Sequence, residues 1–266
     1  MLRKKLCIHE QNAIAGLTNQ LLFPIASVVM EAFPGAFERK KQLSGSRLMR
    51  AFIKSDKAVS VGNPVREEII NCPKPVERFL KSAGNLRVLV IGGSLGAVAI
   101  NKTIPALLAS FSEHDRPEVL HQCGEKNLEE TKEFYKQNAI VESETIKIQA
   151  FINDMAAAYC WADIIICRAG ALTVSEISCV GIPSILIPYP HAVDNHQNEN
   201  AQVLASVGAA TVIQQNELSA TKLLNILNEY NHDRSLILKA SQAAQTVAKF
   251  NVAERVVELC MEVSYA

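Results

Sequence analysis

Zinc-type cysteine pairing is missing from this sequence. Its seven cysteines stand at 7, 72, 123, 160, 167, 179 and 260, and no two are separated by two residues, which argues against a structural zinc site. An odd count without a framework reads as reduced thiols in a cytoplasmic protein. Cys160, Cys167 and Cys179 lie in apolar segments and read as small core residues. An excess of one charge is missing too. Lys plus Arg and Asp plus Glu number 27 each, so no global basic field argues for nucleic acid. Long apolar runs are absent: the longest, "LLFPIASVVM", has 10 residues and is broken by Pro24, against about 20 needed to span a bilayer. The basic start "MLRKKLCIHEQN" imitates a signal peptide, but His9, Glu10, Gln11 and Asn12 interrupt any apolar h-region.

What is present is a regular alternation. The 266 residues are 48% hydrophobic and 20% charged, enough for one large domain or two modest ones. From residue 86 onward "LRVLVIGG", "PEVLHQCG", "IKIQAFI", "DIIIC", "PSILIPY" and "AATVIQQ" read as strands, and helical patterns separate them. Asn153 or Asp154 caps the short helix "NDMAAAYCWA", and Gly208 is a C-cap candidate. Two further helices are expected at roughly 218–231 and 234–248. Continuously apolar strands alternating with helices predict a doubly wound parallel sheet covered on both faces. Residues 1–65 differ. "KKLCIHEQN" reads as a strand and exit loop, "GLTNQLLFPIASVVMEAF" as one helix and "KAVSVGNP" as another strand. So few elements read as the tail of a second α/β domain, joined to the first by "VGNPVREEI".

Two strand-to-helix junctions are bare of large side chains. "VLVIGGSLGAVAIN" turns on Gly92, Gly93 and Gly96, where backbone can approach a ligand and a helix N-terminus offers N–H groups to an anion. Read from Gly92, the dinucleotide spacing G-x-G-x-x-G meets Ser94 and Ala97 in place of its later glycines, which disfavours an oxidoreductase. "IIICRAGALTVSEI" is the second junction. Thr173 and Glu176 fit a capping box; alternatively Glu176 accepts hydrogen bonds from two vicinal hydroxyls, as acidic residues do for a nucleotide ribose. Arg168 reads equally as an ion-pair partner or a phosphate ligand. "YPHAVDNHQNEN" is rich in amides, which offer both donor and acceptor to sugar hydroxyls; its His191, Asp194 and His196 match no common zinc spacing. In "HEQNAIAGLTN", His9 and Glu10 form a candidate general acid/base pair, while Asn12 is a candidate helix cap.

The stretches "HEQNAIAGLTN", "AFPGAF", "VGNPVR", "GGSLGA", "FINDMAAAYCWAD", "CRAGALTVSE" and "HQNENA", in this order, resemble the MurG family of glycosyltransferases over essentially the whole chain. That resemblance implies a GT-B fold of two α/β domains across a cleft. It divides the chain into a remnant of an acceptor- and membrane-side domain at 1–66, a UDP-sugar domain at 67–248, and a helix at 249–266 packing back on the first. It implies an inverting transfer of N-acetylglucosamine from UDP-N-acetylglucosamine to the 4-hydroxyl of undecaprenyl-diphosphate-linked muramoyl-pentapeptide, in peptidoglycan synthesis. No cofactor, metal or nucleic acid is implied, and the expected location is the cytoplasmic face of the bacterial inner membrane, with peripheral contact. By the same resemblance Ala171, Leu172, Thr173, Val174, Ser175 and Glu176 form the donor turn, with Glu176 on the ribose. Ser94 meets the diphosphate, Ile152 holds uracil through its backbone, Gln197 reads the sugar hydroxyls, and Asn12 and Arg66 contribute from across the cleft. The family's glycine-rich loop, with its histidine, has no counterpart here, so roughly a hundred residues and the catalytic base are expected to be missing. The expectation is that this polypeptide alone turns over slowly or not at all, or only binds UDP-sugar.

Overall fold

The computed structural model describes residues 4–43, 57–81, 84–93, 97–192 and 195–265. The chain starts with a small parallel sheet in the order β1-β2-β3, built from Cys7–Glu10, Val28–Glu31 and Ala58–Ser60. Helix α1 (Leu17–Leu22) links the first two strands and α2 (Ala36–Leu43) follows the second. The stretch expected as one helix is therefore two elements. Pro24 has no N–H to continue the helical ladder, the chain turns, and Val28 and Val29 pair with Cys7 and Ile8. Apolar spacing in a segment this short fits either helix or strand, which is why the sequence misled.

The second sheet has six parallel strands: β4 (Arg87–Ile91), β5 (Glu118–Gln122), β6 (Ile146–Gln149), β7 (Ile164–Cys167), β8 (Ser184–Leu186) and β9 (Ala210–Val212). Their order is β6-β5-β4-β7-β8-β9. Successive side chains point to opposite faces, and the core divides accordingly. Leu89, Ile91, Ile165, Cys167 and Leu186 pack with Tyr159, Val174, Ala201 and Ala244. Val88, Val90, Ile164, Ile166 and Ile185 pack with Ile100, Tyr135, Leu223 and Leu227. Each such aliphatic chain, fully buried, stabilises by about 1.5–3 kcal/mol, which fixes the sheet that carries the site.

The covering helices are α3 (Glu67–Ile70), α4 (Pro75–Lys81), α5 (Val98–Ala109), α6 (Leu128–Gln137), α7 (Met155–Trp161), α8 (Ala171–Val180), α9 (His196–Ala205), α10 (Ala220–His232) and α11 (Ser235–Gln245). Asp154 caps α7, its carboxylate accepting from the Ala157 N–H at 2.8 Å. The last helix, α12 (Val252–Tyr265), lays Leu259, Val256 and Cys260 on Met30, Val61 and Val28 of the first sheet. The chain reaches it by crossing Gly62, whose φ is +100° and where a Cβ would meet Lys249 Cβ at 2.5 Å. Only glycine fits that crossing. Two cysteines depart from the expectation of reduced thiols: Cys160 is bonded to Cys72, stapling α7 to the segment after α3, whereas Cys167 and Cys179 are buried thiols.

Candidate donor-binding crevice

Sheet order reverses between β4 and β7: later strands add beyond β5 on one side and beyond β7 on the other. Ligands of open α/β sheets lie outside the carboxyl ends of the strands at such a switch point. Both small-residue turns stand there, because Ile91 and Cys167 are register partners and each ends its strand. After Cys167, Gly170 is the N-cap of α8 and offers no side chain to cap it. The first intrahelical bond runs from the Val174 N–H to Gly170 O, so helix geometry leaves the N–H groups of Ala171, Leu172 and Thr173 pointing out of the first turn. Gly170 has φ −65°, which any residue adopts, and a Cβ there would meet only Thr173 Oγ1, at 3.5 Å. The fold does not demand glycine at this position; what glycine leaves is room in front of a helix N-terminus.

The partner turn leaves β4 through Gly92 and Gly93. Gly92 donates its N–H to Gln122 O at 3.0 Å and Gly93 accepts from Gln122 Nε2 at 3.1 Å. Gly93 has φ +78°, a left-handed conformation that favours glycine. Helix α5 begins at Val98 with no side-chain cap on Ala97. Ser94 and Gly96 lie outside the described residues.

Glu176 sits one turn into α8, too far from the helix start for the capping box, which the structure overturns. Its Oε2 accepts the Tyr159 hydroxyl at 2.9 Å and its Oε1 lies 3.9 Å from Arg66 Nη2. Burial pushes the Glu176 carboxyl above its ordinary range, while the Tyr159 bond and Arg66 pull it down. Burial and the neighbouring carboxylate push the Tyr159 phenol well up, so it stays a donor. One carboxylate oxygen is thus fixed and the other remains beside a side chain that is 58% exposed. Tyr159 was not singled out from sequence, yet a hydroxyl inside "MAAAYCWA" needs a partner when buried, and that was the available signal.

The remaining expected residues divide. Val174 is fully buried, and Ser175 Oγ donates to Ala171 O and accepts from Asn63 Nδ2; both seat the helix rather than present themselves. Ile152 is buried, in the loop after β6, beside Phe151, which is 62% exposed. Gln197, in the first turn of α9, accepts from the Tyr189 N–H through Oε1 at 2.9 Å, leaving its amide nitrogen as the donor. Among the described residues Arg168 makes no carboxylate pair: it donates to Ile187 O, Pro188 O and Gln215 Oε1 and stacks over Tyr189.

The N-terminal acid/base pair does not form. Glu10 accepts from the Asn12 N–H, Asn12 Nδ2, the Gly16 N–H and Asn19 Nδ2, and His9 Nε2 bonds Gly62 O at 2.8 Å. Nor does Asn12 cap α1, whose N-cap is Gly16. Instead Asn12 Oδ1 accepts from Asn200 Nδ2. Asn200 is fully buried, accepts from the Ala13 N–H at 2.7 Å and donates to Ala169 O at 3.1 Å. It ties the N-terminal loop to the residue before Gly170. The amide-rich tract had pointed to the region, but not to this residue.

Comparison with known proteins places the chain in a family. Residues 87–256 match the glycosyltransferase family 28 C-terminal domain. A Marinobacter nauticus protein described as UDP-N-acetylglucosamine–N-acetylmuramyl-(pentapeptide) pyrophosphoryl-undecaprenol N-acetylglucosamine transferase is 45% identical over 264 residues, covering 98% of this chain and 67% of that protein. A Cellvibrio japonicus protein of the same description is 43% identical, over 100% of this chain and 69% of its own length. The crystal structure of Acinetobacter baumannii MurG superposes with a TM-score of 0.77 at 36% identity, covering 98% of this chain and 67% of that one.

Proposed function

This chain belongs to the MurG family of glycosyltransferases, and we propose that its crevice between β4 and β7 binds the UDP-N-acetylglucosamine from which it transfers N-acetylglucosamine to the 4-hydroxyl of lipid-linked N-acetylmuramoyl-pentapeptide, making lipid II from lipid I. The observation that carries this reading is the pairing of two uncapped helix N-termini at the strand-order reversal, with an acidic acceptor one turn away. In the transfer, the acceptor oxygen forms its bond to the anomeric carbon as the bond to the β-phosphate breaks. The hydroxyl proton passes to a base, and UDP leaves with the bonding pair. Negative charge grows on the diphosphate, so amides held in place at helix N-termini favour the transition state over the bound sugar nucleotide. Each terminus contributes about 0.3–1 kcal/mol when exposed and about 2 when partly buried. Alignment of the acceptor and proton removal supply the larger share.

In this reading Glu176 accepts from the ribose, the first turn of α8 (Ala171, Leu172, Thr173) and Ser94 flank the diphosphate, the Ile152 backbone meets uracil, and Gln197 donates to the sugar. Asn12 and Arg66 close the site from the first sheet. Residues 1–66 act as the tail of the acceptor-side domain, 67–248 as the donor domain, and 249–266 as the returning helix. None of the described helices is long and apolar enough to cross a membrane. In this reading contact with the acceptor's bilayer is peripheral, at the cytoplasmic face.

The test is transfer of labelled N-acetylglucosamine to a lipid-linked muramoyl-pentapeptide, with calorimetry of UDP-N-acetylglucosamine alongside. Labelled product supports the full reading. Binding without product reduces it to a donor-binding chain. Absence of both, or equal binding of NADH, overturns it.

A further inference from the structure

The opposite end of the sheet holds a second cavity. It has a volume of about 290 Å³ and opens at the amino ends of β4 and β7, between α4, the residues preceding β7, and α11. Its wall is unlike the crevice. Arg78 and Arg234 line it, with Phe79 and Leu80 at one side and Ser241 at the other, and Asp163 is the one carboxylate among its described lining residues.

That carboxylate is already committed. Arg87 donates to Asp163 Oδ1 from Nη2 at 2.8 Å, and to Oδ2 from Nε at 3.2 Å and from its backbone N–H at 3.0 Å. The two guanidinium groups on the cavity wall share that carboxylate only at longer range and donate instead to carbonyls. Arg78 donates to Val180 O and Gly181 O, the C-terminal carbonyls of α8. Arg234 donates from Nη2 to Gly84 O, while its buried Nη1 makes no hydrogen bond and lies 3.9 Å from Asp163 Oδ2. Of the neighbouring acids, Glu77 and Asp233 are exposed, and Asp233 accepts from the Ser235 N–H and hydroxyl. Three arginines therefore converge on one carboxylate, in a recess with an apolar side. Burying three cations against a single counter-charge is costly, and burial lowers the Arg78 pKa to about 10 although Asp163 opposes the shift.

We propose that this cavity is a binding site for a small organic anion, a phosphate or carboxylate group seated on Arg78 and Arg234 with its apolar body against Phe79 and Leu80. The site is separate from the donor crevice, being at the opposite ends of the same strands. Charge-assisted bonds to a planar guanidinium are the strongest the chain can offer such a group.

The experiment is calorimetric titration of phenyl phosphate, with inorganic phosphate in parallel, into the chain presaturated with UDP so that the crevice is occupied. A single site that persists under UDP is expected, with phenyl phosphate bound more tightly than inorganic phosphate. Arg234→Gln should weaken it by about tenfold or more. Leu80→Glu changes a side chain that is 78% exposed, leaves the packing alone and should weaken binding through charge. Absence of binding, or equal binding by both variants and the parent, overturns the proposal. So does loss of phenyl phosphate binding on UDP saturation, which would assign the anion to the crevice. If UDP itself does not bind, the two variants decide the question in the free chain, and only the donor-site reading has failed.

Discussion

Glu176 carries two carboxylate oxygens in unlike settings. Tyr159 fixes one of its oxygens at 2.9 Å, and the other lies 3.9 Å from Arg66 Nη2. Replacing it by Gln keeps the shape but turns half of a double acceptor into a donor. Glu176→Gln is expected to weaken UDP binding about tenfold or more, since a hydrogen bond to a charged group contributes about 1.5–3 kcal/mol. Tyr159→Phe should cost less affinity and about 1 kcal/mol of stability. Calorimetry with UDP measures both, and unchanged affinity in the Gln variant would remove Glu176 from the ribose. A different residue governs acid stability. His121 is fully buried, with Nδ1 2.9 Å from the Tyr135 hydroxyl and Nε2 3.1 Å from Asn101 Oδ1, and burial lowers its pKa from 6.5 to about 3. The unfolded chain takes up this proton near pH 6.5 and the folded chain refuses it until about pH 3. Stability from the neutral ring is therefore whole above pH 6.5 and declines towards pH 3, by about 1.4 kcal/mol per pH unit. His121→Phe cannot titrate, so its penalty should be about 2–3 kcal/mol smaller at pH 4.5 than at pH 7.5. Urea unfolding at the two pH values measures this; an equal penalty at both would mean that the ring titrates normally.

At the scale of elements, the turn between β7 and α8 is the instructive case. Its glycine is required neither by φ nor by a neighbour. Gly170→Ala should leave stability unchanged or raise it by about 0.4–1 kcal/mol, as expected where the backbone is compatible, yet weaken UDP binding by crowding the helix N-terminus. Thermal melting and UDP titration separate the two effects, and full affinity in the Ala variant would mean that the helix N-terminus carries no ligand. How legible such elements were depended on length and periodicity. The runs "RVLVI" and "IIIC", flanked by glycine and helical spacing, read as buried parallel strands, whereas a donor role for the turn after them was implied only by the family resemblance. β2 was hidden because four residues of "VVME" after a proline carry no period of their own, and its strand character comes from pairing with β1. Asp154 was readable as a cap because capping is local. The setting of Glu176 was not, because its partners are 17 residues away on α7 and across the sheet junction at Arg66. The Cys72–Cys160 bond, spanning 88 residues, has no local signature either.

At the scale of the molecule, the two sheets are joined by more than the connecting chain. Two buried amides span the seam. Asn200 holds the Ala13 N–H and Ala169 O, and Asn63 Nδ2 donates to Gln11 O and Ser175 Oγ. Both grip the loop after β1 on one side and the turn before α8, or α8 itself, on the other, so the crevice depends on the seam. Apolar contact alone is modest there, with Ala13, Ala32 and Phe33 meeting the larger core. Truncating either amide strands buried partners, at about 1–3 kcal/mol each. Because both act on one loop, the two losses should not add. The double variant Asn63→Ala with Asn200→Ala is expected to let the first sheet loosen before the second. Trp161, the single tryptophan, sits on α7 above the second sheet and reports that unit alone, whereas far-ultraviolet circular dichroism reports both. In the parent the two denaturant transitions should coincide, as for one cooperative unit. In the double variant the dichroism should begin to fall before the tryptophan signal, and UDP affinity should fall with it, since Ala169 is released. Coincident transitions in the double variant would mean that apolar packing and α12 hold the halves together without the amides, and that the crevice is shaped by the second sheet alone.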